Sequence, residues 1–361
     1  MIIKSIELTD YRNYDHLSLE FDKGTNIFYG DNAQGKTNIL ESIFISATTK
    51  SHKGSKDSEI IKFGKEEAHI RTILSKDDIP TKIDLHLRNS KTKGIAIDGN
   101  RKKASELFGI CKVVFFSPED LNIIKNGPTY RRRFADMELS QLDSFYMYNL
   151  SNYNKVLNRR NQVLKNLYFD KSLEESLSIW DDQLVSYGVK IIERRRKFRE
   201  ELEEQIKDIH LTLSGGRENI RIEYEPSVSE DEFEKCIKES RTRDMKTKMT
   251  NIGPHRDDFS FLVGDVDIRR FGSQGQQRTA ALSLKLSEIK MMKKISGENP
   301  VLLLDDVLSE LDRKRQKYLL DCIGDIQTFI TCTGIDDFVN DRFVMNRVFY
   351  VENGIVKQMS D

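Results

Sequence analysis

The chain has few cysteines, no bias of charge and no long apolar run, and each shortage closes off a class of protein. Four cysteines in 361 residues, Cys111, Cys236, Cys322 and Cys332, are scattered without a Cys-x-x-Cys pair. That argues against a structural zinc site or a disulfide framework and fits a reducing cytosol. Lysine plus arginine and aspartate plus glutamate both number 58. With no global basic field, any DNA contact must come from charges segregated onto one face. No stretch approaches the roughly 18 apolar residues of a membrane-spanning helix. The start, Met1-Ile2-Ile3-Lys4-Ser5-Ile6-Glu7, enters strand-like alternation without the basic and apolar regions of an export signal. The expectation is a cytoplasmic protein, neither exported nor membrane-spanning. Internal repeats, low-complexity tracts and long heptad arrays are missing too.

What is present starts with an apolar strand, Thr25-Asn26-Ile27-Phe28-Tyr29, running into Gly30-Asp31-Asn32-Ala33-Gln34-Gly35-Lys36-Thr37 and a helix opening at Asn38. This is Gly-x-x-x-x-Gly-Lys-Thr between strand and helix, the context a P-loop requires. Gly30 and Gly35 let the backbone turn its N–H groups toward phosphate oxygens, and the helix N-terminus adds partial positive charge. Lys36 is placed to reach the β- and γ-phosphates of ATP, and the Thr37 hydroxyl to ligate Mg²⁺. A second piece, Val301-Leu302-Leu303-Leu304-Asp305-Asp306, reads as a buried parallel strand delivering two carboxylates to its carboxyl edge, where ligands bind in open α/β sheets. Asp305 fits the Walker B role at the metal, and Asp306 the place of a base orienting the attacking water. A third, Ser273-Gln274-Gly275-Gln276, precedes a helical stretch at 280–294, with Ser273 placed as an N-cap and anion receptor.

Around these pieces the first 120 or so residues carry short alternating strands at 2–8, 17–21, 25–29, 68–74, 82–88 and 94–98, and a continuously apolar one at 113–116. Residues from about 127 to 250 turn to long charged helices, read at 131–150, 153–167 and 173–213. The predicted fold class is α/β: a discontinuous head with mixed sheets made from residues 1–125 and 251–361, and a mainly helical arm inserted at 126–250.

The motif order resembles the ABC-type ATPase heads of the SMC and Rad50 group, and within it the bacterial recombination mediators. The likeness rests on Thr9-Asp10-Tyr11-Arg12-Asn13-Tyr14, the P-loop through Asn38, Gly253-Pro254-His255-Arg256-Asp257-Asp258, Ser273 to Arg278, and Leu304-Asp305-Asp306-Val307-Leu308-Ser309-Glu310-Leu311-Asp312. It implies an ATP-dependent homodimer in which Ser273, with Gly275 and Gln276, meets the γ-phosphate held by Lys36 of a second copy, and residues 309–312 line the junction. It implies that the turn carrying Arg12 and Asn13 approaches the nucleotide. It also implies DNA binding at single-strand gaps and junctions, RecR and RecO as partners with the recombinase RecA downstream, and a setting in DNA repair, replication restart and the SOS response. Asp306 stands where transport-type heads carry glutamate, and after the strand at 328–333 their switch histidine is absent, leaving Thr333 to offer at most a hydroxyl. Both departures point to slow hydrolysis. The rival readings are another SMC-like head, disfavoured by the missing coiled coil, a transporter subunit, and a nonhydrolysing ATP-dependent switch.

Candidate DNA-facing cations are Lys50, Lys53 and Lys56, Arg131 to Arg133, and Arg194 to Lys197, the last interleaved with glutamates. His255 to Asp258 reads as a structural or communicating loop rather than a metal cluster, because adjacent residues rarely all point one way.

Overall fold

A computed structural model describes residues 1–89, 92–167, 169–334 and 345–359. The chain forms two compact units, one of residues 1–120 with 288–361 and one of residues 121–287.

The first unit holds two sheets. Strands β1 (Ile2–Tyr11), β2 (Tyr14–Glu20), β4 (Glu67–Lys76), β5 (Ile79–Arg88), β6 (Gly94–Ile97) and β7 (Asn100–Arg101) form an antiparallel sheet in the order β2-β1-β4-β5-β6-β7. Strands β3 (Thr25–Tyr29), β8 (Val113–Phe116), β12 (Val301–Asp305), β13 (Thr328–Cys332), β14 (Arg347–Glu352) and β15 (Ile355–Gln358) form the other, in the order β15-β14-β3-β13-β12-β8. Only β15 runs antiparallel there. Every residue of β8, β12 and β13 is buried, as continuous apolar runs in a covered parallel sheet require. Phe21 at the end of β2 meets Phe28, Phe329 and Phe349 of the parallel sheet edge-on, with centroids 4.8–6.3 Å apart. Gln327 straps the sheets together, its side chain accepting from Ile3 N and donating to Ile3 O and Asp22 O.

The second unit packs helices Pro128–Leu142, Ser144–Asn166 and Leu177–Leu213 with a three-stranded sheet of β9 (Ile220–Glu225), β10 (Asp258–Val263) and β11 (Val266–Asp267). The helix expected at 131–150 is two helices. Asp143 ends the first and caps the second, its carboxylate accepting from Phe145 N and Tyr146 N at 2.9 and 3.0 Å. The expected boundary at 250 also moves. Residues 251–287 group with the arm, because β10 pairs along its whole length with β9 and Arg131 grips Asp258 through two hydrogen bonds of 2.7 and 2.9 Å. The junction falls instead inside the long helix Gln274–Ser296.

Candidate nucleotide site

The P-loop is shaped by three residues in the left-handed region: Gly30 (φ 145°), Ala33 (φ 64°) and Gly35 (φ 114°). Side chains are excluded at both glycines. A Cβ on Gly30 would collide with the Val351 carbonyl, and one on Gly35 with the Asn13 amide and the Tyr14 hydroxyl. Helix Lys36–Thr48 follows with no side-chain cap, so its first-turn N–H groups depend on some other acceptor. Lys36 Nζ lies 2.5 Å from Gly30 O and 2.7 Å from Asp31 O. Burial pulls its ammonium below the usual lysine range, against the opposing pull of Asp306 and Asp305.

Strand β13 lies between β3 and β12, so the P-loop and the Asp305-Asp306 pair emerge at the same carboxyl edge. Asp305 Oδ1 accepts from Thr37 Oγ1 at 2.7 Å and from Thr331 Oγ1 at 2.8 Å. A hydroxyl and a carboxylate oxygen side by side form the hard-oxygen pair that suits Mg²⁺. Asp306 follows in the left-handed region (φ 53°), with its N–H on Thr331 Oγ1 at 3.0 Å and its carboxylate accepting from Ser309 Oγ at 3.2 Å. A non-glycine residue held there stores backbone strain, a recurrent feature of functional sites.

Two hairpin turns clasp the loop apex. Asn13 Nδ2 donates to Gln34 O at 3.2 Å, Asn13 Oδ1 accepts from Asn38 Nδ2 at 2.8 Å, and Tyr14 OH donates to Gly35 O at 3.1 Å. From the other side Asn353 N donates to Gln34 Oε1 at 2.6 Å and Gly354 N to Gln34 O at 3.3 Å. Asn353 and Gly354 both have positive φ, the Asn-Gly chemistry of a tight hairpin. Tyr14 lies in the quoted Thr9 to Tyr14 turn but was not singled out there, and Asn353 and Gly354 had only the turn signal of an Asn-Gly pair. Arg12 departs from expectation. Its guanidinium is spent on Glu41 (Nε and Nη2, both 2.8 Å), Glu59 O (2.7 Å) and Ser55 Oγ (3.1 Å), so it braces the P-loop helix rather than facing the loop. Burial pushes the Glu41 carboxyl up, but Arg12 and Ser51 outweigh it and hold the group below the usual carboxylate range.

In the second unit Ser273 caps the helix Gln274–Ser296 as its position predicts. Ser273 N donates to Gln276 Oε1 at 2.9 Å and Gln276 N to Ser273 Oγ at 3.2 Å, a reciprocal box. Ser273 and Gly275 are exposed, while Gln276 Nε2 also reaches Glu218 at 3.1 Å. The basic runs fare differently. Arg131 and Arg195 are only 2% and 1% exposed, which removes them from any surface. Arg132 donates to Asp257 O, Arg194 pairs with Asp143 and Glu201, and Arg196 with Glu230. Lys50, Lys53, Lys56, Arg133 and Lys197 stay exposed, Lys197 beside Glu201. His255 to Asp258 forms a structural loop. Asp257 accepts from Arg195, Tyr224 and Ser227 N, Asp258 from Arg131, and His255 bonds Tyr153 OH at 2.7 Å and Thr250 O at 3.0 Å.

A P-loop after β3, a carboxylate pair at the end of β12 on the far side of β13, and a serine-capped signature helix define an ATPase head of the ABC and SMC type. The family model of the RecF/RecN/SMC N-terminal domain matches residues 2–357. The DNA replication and repair protein RecF of Lachnoclostridium phytofermentans is 58% identical over 359 residues, 99% of this chain and 100% of that one. The chain belongs to the RecF family. A structure of the recombination mediator protein RecF with ATP, in the RecFOR pathway, aligns with TM-score 0.93 and 38% identity over 99% of this chain and 97% of that one. An Smc head domain from Pyrococcus furiosus, bound to the C-terminal domain of ScpA, shares the fold at TM-score 0.56 and 17% identity, over 99% of this chain and 95% of that one.

Proposed function

We propose that this chain is an ATP-dependent, DNA-binding recombination mediator that pairs with a second copy around ATP, binds DNA at single-strand gaps and junctions, and helps to load a recombinase. The observation that carries the reading is the meeting of Thr37 and Asp305, 268 positions apart, at 2.7 Å beside the P-loop. Gly30 to Asn38 would hold the phosphates, Lys36 their negative charge, and Thr37 with Asp305 the magnesium. Bound there, Mg²⁺ would neutralise charge on the phosphate oxygens. Asn13 keeps the loop in shape, and Arg12 acts on it only through the P-loop helix. Ser273 and Gly275, exposed at a helix start, suit contact with the nucleotide of another copy. Asp306, one methylene shorter than glutamate and tied to Ser309, favours slow hydrolysis, a timer for a DNA clamp.

RecR and RecO as partners, with RecA downstream, follow from the RecFOR setting of the relative's structure. DNA repair, replication restart and the SOS response follow from the family, and so does a cytoplasmic location. No helix among the described residues is long and apolar enough to cross a membrane. Light scattering of wild type and Ser273→Arg, with and without Mg-ATP, tests the reading. Wild type is expected to double in mass, while the variant binds nucleotide and stays monomeric. A wild type that stays monomeric with bound ATP contradicts it.

A further inference from the structure

We infer that one face of helix Ser144–Asn166 is a docking strip for single-stranded DNA. The inference deepens the proposed reading by naming a surface for the unpaired strand, and it rests on that reading.

Between Asp143 and Asp170 there is no acidic residue. At the chain's average of 58 acids in 361 residues, about four would be expected. Phe145, Tyr148, Asn152, Lys155, Arg159 and Gln162 follow one another at intervals of three or four and so share one stripe of the helix. It spans about 25 Å at 1.5 Å per residue. Both rings are exposed, 59% and 56%, although each is large and apolar enough to be favoured inside. Lys190 sits 5.4 Å over the Phe145 ring, and Tyr187 meets Tyr148 edge-on at 6.3 Å. Lys155 and Arg159 are exposed, and Arg159 donates to Gln162 rather than to a carboxylate. The neighbouring Arg160 turns inward to Asp181 and Asp244.

Aromatic faces stack on any unpaired base, and cations with amide side chains follow the phosphates beside them. A duplex hides its base faces and would leave the two rings unused. The stripe itself carries no carboxylate to repel the strand, and Asp143 at its start is paired with Arg194. It also contrasts with the Arg194 to Lys197 run, where Arg194, Arg196 and Lys197 each lie against glutamate.

The test is fluorescence anisotropy with a labelled thirty-residue oligo-dT and with a duplex of the same length, each with Mg-ATP and over a series of salt concentrations. Tyr148→Ala is expected to weaken oligo-dT binding about tenfold with an unchanged salt slope, and Tyr148→Phe to restore it. Lys155→Gln with Arg159→Gln is expected to lower the single-strand salt slope by about 1.4. Duplex binding, ATP binding and Tm should stay at wild-type values, since all these side chains are exposed. Equal losses on duplex would make the strip a general backbone contact and overturn the inference, as would wild-type oligo-dT binding by all variants. A wild type that binds neither DNA would sink the proposed function instead.

Discussion

The interior of the arm and the nucleotide loop of the first unit use charge in opposite ways. In the arm, Arg131, Arg160 and Arg195 are buried and matched by carboxylates: Arg195 alone holds Asp136 at 2.8 Å, Asp257 at 3.0 Å and Pro254 O at 2.6 Å. In the P-loop unit, Lys36 leans on two loop carbonyls, and the Asp305 and Asp306 carboxylates accept from the hydroxyls of Thr37, Thr331 and Ser309. The arm matches its buried arginines with carboxylates and gains a fixed shape. The other unit pairs Arg12 with Glu41 behind the loop but leaves Lys36, Asp305 and Asp306 hydrogen-bonded to neutral groups, which a magnesium-bound triphosphate would replace.

The contrast breaks first at Arg195. Arg195→Ala leaves Asp257 buried without its cation, and urea unfolding should show a loss of about 3–5 kcal/mol. Nucleotide affinity should hold in the protein that remains folded. A Tm within a degree of wild type would mean that the arm does not depend on this network. Lys36→Ala should do the reverse. Turnover is expected to fall about a hundredfold or more in a phosphate-release assay, with folding stability changed by less than about 1 kcal/mol.

pH sharpens the difference further. Burial pushes the His255 imidazole down to about 4, from an unfolded value near 6.5. The unfolded chain therefore binds the proton first as pH falls, and stability present above pH 6.5 is lost progressively down to pH 4, by about 3 kcal/mol in all. Urea titrations between pH 7 and 4 should show this slope and show it flattened in His255→Gln. An identical slope in the variant would assign the acid sensitivity elsewhere. The smallest effect is expected at Asn13. Asn13→Ala removes one side chain from the P-loop clasp and should cost about 1 kcal/mol of ATP affinity by calorimetry. Unchanged affinity would leave Asn353 and Gly354 as the sufficient half of the clasp.

How far the sequence could be read follows the same division. The P-loop, the Asp305-Asp306 strand and the Ser273 cap are short contiguous patterns, punctuated by glycine or acid, and each forms where its spacing predicts. Parallel strands such as Val113–Phe116 were legible because burial on both faces leaves an unbroken apolar run. What could not be read depends on distant partners. Arg131 and Arg195 look like surface cations until Asp258 and Asp257 are folded against them. Arg12 looks free to meet a nucleotide until Glu41, Ser55 and the Glu59 carbonyl take its donors. The arm's boundary was hidden because β9 and β10 are separated by two short helices, Phe233–Glu239 and Arg241–Thr247, and only their pairing shows that they belong together.

The central claim is that the nucleotide pocket is completed by a second copy, and subunit mixing tests it most directly. Lys36→Ala and Ser273→Arg should each be nearly inactive alone. Mixed in equal amounts with Mg-ATP, they form heterodimers in which one intact P-loop faces one intact signature serine, and turnover should rise well above that of either variant alone. A mixture no more active than its two components would contradict the account.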